Sequence, residues 1–142
     1  MTDLQIIKEL IILIKLSNKS AFYRLKKKFG EFESKVVNNK VIMINLSSKD
    51  VKSEDLELIG ELTSLEELYL GHNQVDTIQS LEGLTNLKVL WFKCNKIAEI
   101  QGLDKLTKLE SLYLVSNEIT EIEVNQFKTN NTKLNIYLIS YG

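Results

Sequence analysis

The 142-residue chain has no proline, a single cysteine and no long apolar run, and these absences exclude several classes of protein. With Cys94 alone, no internal disulfide can form, so we expect a reducing, cytoplasmic location. The longest uninterrupted apolar run is Leu10–Ile14, far short of the roughly 18 residues of a membrane span. Asp3 and Glu9 lie where a signal peptide would carry positive charge, and no small-residue cleavage site follows. We therefore expect neither a signal peptide nor a membrane partner.

The chain also lacks a dominant charge. Its formal net charge is -1, which argues against the whole molecule being a nucleic-acid binder. The charge is unevenly divided, because residues 1–52 hold 11 Lys/Arg and 5 Asp/Glu, whereas residues 53–142 hold 7 and 14. The basic part includes Arg24 and Lys26–Lys28. This run is either a solvated helix face or an electropositive end that meets an acidic partner or phosphates.

Leucine is abundant and regularly spaced. The segments "LEELYLGHNQV", "LKVLWFKCNKI" and "LESLYLVSNEI" begin at Leu65, Leu87 and Leu109, 22 residues apart. Within each, the pattern is L-x-x-L-x-L-x-x-N-x-L, with phenylalanine or isoleucine at some positions. Weaker copies begin at Val41 upstream and near Ile136 downstream, each offset by 24 residues. One copy cannot bury its own leucines, so stacked copies must form a shared core.

The spacing within a copy predicts its local structure. Leu68 and Leu70 alternate and therefore lie on one face of a short strand. The apolar positions that follow are three residues apart, which favours a 3₁₀-like or irregular return arm; they are Val75, Ile78, Leu81 and Leu84.

This pattern resembles the leucine-rich repeat family over roughly residues 41–142. The 22-residue unit looks like the type found in the protein-phosphatase-1 regulatory subunit and in bacterial internalins. The resemblance implies an α/β fold, a right-handed leucine-rich repeat solenoid with a parallel concave sheet of about five strands. It also implies that the repeated asparagines form a ladder of hydrogen bonds to buried turn backbone, not a functional site; these are Asn73, Asn95 and Asn117.

The first 40 residues fall outside the pattern. Asp3–Leu16 is predicted to be a strongly apolar helix, and Ser20–Phe29 a second helix that Gly30 ends. A hairpin with Asn38-Asn39 at its turn then leads into the first repeat. We expect residues 1–40 to be an N-terminal helical cap and hairpin that covers the open end of the leucine core. The alternative is an independent docking helix.

Residues 41–142 are then about five repeats, three of them regular, and together with the cap they form a single structural unit. Atypical end repeats are expected, because they close the core. Tyr137–Tyr141 should form the last strand, with no visible cap beyond it. Self-association through this C-terminal edge strand is therefore one prediction of the sequence.

His72 and Cys94 share the position before the asparagine in successive repeats. A histidine beside a cysteine can activate a thiolate, so a redox or catalytic protein is one alternative. The pattern places no residue to orient the histidine, and no glycine-rich loop offers an oxyanion site. Two ligands are also too few for a closed zinc site. We therefore expect no enzyme activity, no metal and no cofactor.

An aromatic residue repeats at the central strand position, which burial does not dictate. The residues are Tyr69, Trp91, Tyr113 and Tyr137. Their side chains must point away from the leucine core, onto the surface that is concave in the resembling family. They either stack across strands for ~0.2–1 kcal/mol per pair and do no more, or they form a recognition surface, since Tyr and Trp are enriched in binding hot spots.

The second interpretation predicts a non-catalytic module that binds a protein partner. The predicted contact residues are the four aromatics and their neighbours, namely Tyr69, Trp91, Tyr113, Tyr137, Val89, Lys93, Val115, Glu67 and His72. A small regulatory or inhibitory subunit of an enzyme or toxin would use the same face. Nucleic acid is not expected, because Lys93 is the only basic residue among the outward strand positions.

Overall fold

The structure, a computed structural model, describes residues 2–15, 19–130 and 133–138. Two helices and a hairpin precede a series of short strands. The elements are α1 (Asp3–Lys15), α2 (Lys19–Phe29), β1 (Glu33–Val37), β2 (Lys40–Asn45), a 3₁₀ turn (Ser53–Asp55), α3 (Leu56–Ile59), β3 (Glu67–Tyr69), β4 (Val89–Trp91), β5 (Ser111–Tyr113), α4 (Glu121–Asn130) and β6 (Asn135–Tyr137). No helix in these ranges is long and apolar enough to cross a bilayer.

All six strands form one sheet in sequence order. β1 and β2 pair antiparallel around the turn at Asn38 and Asn39, whose φ values of 50° and 60° suit a tight hairpin. The strands from β2 to β6 pair in parallel, so that Leu68, Leu90 and Leu112 are cross-strand neighbours. This arrangement confirms the predicted α/β repeat solenoid with five parallel strands, to which β1 adds an antiparallel edge.

The leucines of the repeats form one continuous core. Each of the strands β3, β4 and β5 has a buried residue between two partly exposed ones, as the alternating pattern predicts. The side chains of Leu68, Leu90 and Leu112 are 0% exposed. The return arms supply the opposite wall of the same core, with buried residues at the three-residue spacing; examples are Val75, Ile78, Leu81 and Leu84.

The end of the core before the first repeat is covered by α2 and the hairpin. Ala21, Phe22 and Leu25 of α2 are buried in the same cluster as the leucines. The ring of Phe22 meets that of Phe32 edge-on, with centroids 5.8 Å apart. Helix α1 differs from the expected cap, because every side chain from residue 3 to residue 10 is exposed. Leu16, the predicted end of α1, lies outside the described residues.

The basic run of α2 is largely engaged within the chain. Lys28 pairs with Asp55, which is only 6% exposed. Asp55 also accepts a hydrogen bond from the backbone N–H of Lys52 at 2.9 Å. Arg24 lies 3.7 Å from Glu61. These pairs connect α2 to the segment inserted between the first two repeats, so much of the basic run has a structural role.

The return arm after β5 differs from the prediction. In place of an irregular arm the chain forms α4, and Phe127 on this helix packs against the core. Thr120 and Glu123 cap the helix reciprocally, because the Glu123 carboxylate accepts from the Thr120 N–H at 2.9 Å and the Thr120 hydroxyl oxygen accepts from the Glu123 N–H at 3.4 Å. The predicted edge strand ends at Tyr137, and residues 139–142 lie outside the described residues. Self-association through that edge therefore stays a prediction.

Candidate functional site

The sheet register brings the four predicted aromatics into one line. Tyr69 is the cross-strand neighbour of Trp91, Trp91 of Tyr113, and Tyr113 of Tyr137. We call these four residues the aromatic row. Their neighbours in the chain point into the core, so the row lies on the opposite face of the sheet, which we call the open face. Asn45 and Glu33 continue the same line onto β2 and β1.

The rings of the row are ordered by stacking. The centroids of Trp91 and Tyr113 are 4.1 Å apart with a 28° angle between the planes, and those of Tyr113 and Tyr137 are 4.4 Å apart at 9°. Tyr69 and Trp91 are 6.3 Å apart and tilted by 43°. Three rings thus form a continuous stack, and the fourth leans away from it. Side chains held in this way lose little conformational entropy when a partner binds.

Gly71 is a site residue that the sequence analysis did not identify. It is buried, and a Cβ atom added there would lie 3.2 Å from both Cδ1 and Nε1 of the Trp91 indole. The indole therefore lies directly against the Gly71 backbone. In the next two repeats the corresponding position holds Lys93 and Val115, so the glycine is specific to the strand beside Trp91. That contrast was visible in the aligned repeats.

The other predicted contact residues are unequally accessible. Glu67, Val89 and Lys93 are partly exposed beside the aromatic row, and His72 is exposed. Val115 is only 9% exposed, which differs from the expectation of open apolar surface at that position. The open face is therefore more strongly dominated by its aromatic rings than the sequence indicates.

His72 and Cys94 occupy a turn that ends each strand. Their φ values are 55° and 58°, and Ser116 in the next repeat has 59°. The backbone N–H of His72 donates to the Lys93 carbonyl at 2.8 Å, and that of Cys94 donates to the Val115 carbonyl at 2.9 Å. The repeated position thus has a structural explanation in this left-handed turn. Among the described residues no three His, Cys, Asp or Glu side chains are placed to hold a metal ion.

The asparagine ladder predicted from the resemblance is confirmed. The side-chain amide of Asn73 donates to the Leu46 and Leu70 carbonyls, each at 3.0 Å. Its oxygen accepts from the backbone N–H groups of Lys49 and Val51 at 3.1 and 2.9 Å. Equivalent bonds are made by the asparagines of the next two repeats, Asn95 and Asn117. These residues join successive turns of the solenoid and belong to its framework.

The electrostatic environment of the row is negative at its β3 end. The pKa of the Tyr69 hydroxyl is raised above its ordinary value, first by burial and then by the nearby charge of Glu67, with further contributions from Tyr113 and Glu33. Tyr69 therefore remains a neutral hydrogen-bond donor through the physiological range. Lys93 supplies a positive charge on the other side of the row.

Comparison with known proteins supports the repeat assignment. A family model described as leucine-rich repeats (2 copies) matches residues 85–127. An internalin (inlF) of Listeria monocytogenes is similar in structure, with 30% identity and a TM-score of 0.53 over 61% of this chain. Internalin C2 of the same organism has 25% identity and a TM-score of 0.56 over 72% of this chain. A leucine-rich repeat protein of Leptospira interrogans has 22% identity and a TM-score of 0.63 over 70%.

The chain is a leucine-rich repeat protein, and its repeats are of the internalin-like type. It spans only part of the structures that it resembles, namely 27%, 42% and 26% of the inlF, internalin C2 and Leptospira chains. No curated protein sequence matches it. Proteins with this fold commonly mediate protein–protein interaction and are typically not catalytic.

Proposed function

We propose that this chain is a non-catalytic module that binds a protein partner through the aromatic row. Glu67, Val89, Lys93 and His72 form the rim of the contact, since all four are at least partly exposed beside the row. The observation that carries the proposal is the ordered stack of Trp91, Tyr113 and Tyr137 on the open face. Burial in the core requires none of these rings, and the leucine core is complete without them.

The physical argument concerns the cost of binding. A partner that covers aromatic side chains gains their large apolar area, and the gain is greatest where side chains are already ordered. Trp91 has a ring on each side and the Gly71 backbone beneath it. Its solvent-facing surface is therefore the only part left to cover, and water is most easily excluded at the centre of the row. Trp91 should be the leading hot spot.

A small regulatory or inhibitory subunit would use the same face, so this alternative differs only in what binding does to the partner. The redox alternative has weaker support, because the turn geometry accounts for the position shared by His72 and Cys94. It is tested by alkylation of Cys94. We expect His72→Ala to leave the alkylation rate unchanged, and a large fall in rate would support the redox alternative instead.

The binding test has two stages. A photoreactive amino acid at Ser111, which is partly exposed in the line beside the row, should cross-link the partner. The same group at Ile122, which is 70% exposed on α4, is the matched control position and should not. The cross-linked protein is then purified and titrated against the chain. Trp91 is the only tryptophan, so its fluorescence reports directly on coverage of the row.

The affinities of variants decide the proposal. Trp91→Ala should weaken binding by ~2 kcal/mol or more, about 30-fold, and Tyr113→Ala by ~1–2 kcal/mol. Tyr23→Ala is the matched control, because Tyr23 is 55% exposed on α2 and outside the row; it should bind like the wild type. Wild-type affinity in a folded variant that lacks Tyr69, Trp91 and Tyr113 would show that the row is not the site.

A further inference from the structure

Helix α1 has an apolar side that the described chain does not cover. Leu4, Ile6, Ile7 and Leu10 are 62%, 42%, 52% and 52% exposed. At 3.6 residues per turn these four fall within one half of the helix, opposite Gln5 and Glu9. Leucine and isoleucine in such numbers are rarely left in water on one side of a helix, so this side has an occupant that the chain itself does not supply.

The helix packed against α1 adds positive charge and an aromatic ring. Lys19, Tyr23 and Lys27 are spaced four residues apart on α2 and are all exposed. Phe22 and Leu25 lie on the opposite side of the helix, in the core. Among the described residues, neither Lys19 nor Lys27 forms an ion pair, in contrast to the three basic residues of α2 that do.

The charge of this end of the molecule is strongly positive overall. Residues 1–52 hold 11 basic and 5 acidic residues, a net charge of +6. Asp55 and Glu61 are the acidic partners that the repeats supply to α2. Asp3 is in the first turn of α1, where it complements the helix dipole, and Glu9 is on the polar side. The apolar side of α1 therefore adjoins a surface with an excess of uncompensated lysine.

An amphipathic helix with aliphatic residues on one side, accompanied by tyrosine and lysine, has the features of a helix that lies in a lipid interface. We propose that α1 lies in the surface of a bilayer that contains anionic lipids, with its apolar side inserted and with Lys19 and Lys27 near the headgroups. The expectation of no membrane partner rested on the absence of a spanning segment. A helix that lies on a membrane needs no such length.

Charge complementarity favours this occupant over a second copy of the chain. Two copies joined through α1 would bring two surfaces of the same positive sign together, whereas an anionic bilayer attracts both lysines. The apolar and ionic contributions also reinforce each other, because stable binding by one short apolar element alone is marginal. This inference is independent of the aromatic row.

The test uses the full chain and vesicles in a flotation assay. Vesicles of phosphatidylcholine with about one third phosphatidylglycerol should bind the chain, and pure phosphatidylcholine should bind it at least ~10-fold less. Leu4→Asn with Ile7→Asn and Leu10→Asn should reduce binding to the anionic vesicles by at least ~10-fold. Ile122→Asn is the matched control, since Ile122 is also exposed but lies on α4, and it should bind normally.

A second variant separates the ionic contribution. Lys19→Glu with Lys27→Glu should reduce binding ~10-fold or more at low salt, and the reduction should shrink as salt is added. Circular dichroism checks that both variants retain the fold. No binding to the anionic vesicles, or binding that neither variant changes, would overturn the proposal. A lipid-independent dimer in sedimentation that the Asn variant abolishes, without vesicle binding, would show that a second copy covers α1.

Discussion

The carboxyl introduced by Asn95→Asp tests how far the asparagine ladder supports the solenoid. Asn95 is 8% exposed, and its amide nitrogen donates to the carbonyls of Leu70 at 2.8 Å and Phe92 at 3.1 Å. Its oxygen accepts from the Val75 N–H at 3.0 Å. An ionised aspartate keeps the acceptor but cannot donate. Two buried carbonyls would then face a negative charge with no hydrogen-bond donor.

The expected loss follows from these bonds. A buried polar group left without its partner costs about 1–3 kcal/mol, and two carbonyls are affected. With the cost of the buried charge added, the free energy of unfolding should fall by ~3–5 kcal/mol at pH 7. Asn86→Asp is the matched control, because Asn86 is exposed and accepts from the Lys108 ammonium at 3.0 Å. It should change stability by no more than ~0.5 kcal/mol.

The pH dependence gives the sharper result. The folded environment disfavours the charged form of the new carboxyl, so its pKa should be raised above the ordinary value of about 3.9. Stability associated with the protonated group is present below the unfolded pKa and is lost as pH rises through the folded pKa. The difference from wild type should therefore shrink as pH falls from 7 towards 4, by at most ~1.4 kcal/mol per pH unit. Urea denaturation of both proteins measures it. A difference below ~1 kcal/mol at pH 7, or one that pH does not change, would refute the reasoning.

Three further outcomes are expected. Leu90→Ala should lose ~2–5 kcal/mol of stability through a core cavity, whereas Trp91→Ala, one residue away on the open face, should lose only ~1–2 kcal/mol; equal losses in urea denaturation would contradict the assignment of faces. Because the pKa of Tyr69 is raised in the fold, its contribution to stability is present below the ordinary tyrosine pKa of about 10 and is lost as pH rises further; Tyr69→Phe should therefore flatten the fall in stability above pH ~10, and an unchanged slope would argue against the shift. Deleting residues 1–15 should leave the melting temperature within a few degrees, as ~1 kcal/mol corresponds to ~4 °C, whereas deleting residues 1–32 should abolish cooperative unfolding; similar melting of both would show that α2 is not the cap.

The regular repeats show how much the sequence predicts. A 22-residue period puts Leu68, Leu90 and Leu112 at one point of each turn, and alternation along the strand then puts Tyr69 and Trp91 on the other face. Both expectations are confirmed because they depend only on local geometry repeated in register. The helix α4 was also predictable, since the spacing of Thr120 and Glu123 matches a capping box, but the repeat pattern favoured an irregular arm.

Other features depended on contacts between distant segments. The accessibility of Val115, at 9%, and the fit of the Trp91 indole against Gly71 are set by neighbouring strands, which a pattern within one repeat does not describe. The engagement of the basic run likewise depends on Asp55, 27 residues from Lys28 along the chain.

The sequence by itself determined the repeat, the strand register and the line of aromatic residues, because each follows from a fixed spacing of apolar and polar side chains. Only the tertiary structure decided which apolar residues the chain covers. Residues on both α1 and α2 are apolar enough to cap the core, yet Phe22 and Leu25 are buried and Leu4 and Leu10 are not. The physical reason is that burial is shared among elements: the end of the solenoid offers a limited apolar area, and once α2 and the hairpin cover it, the next apolar helix must face something else.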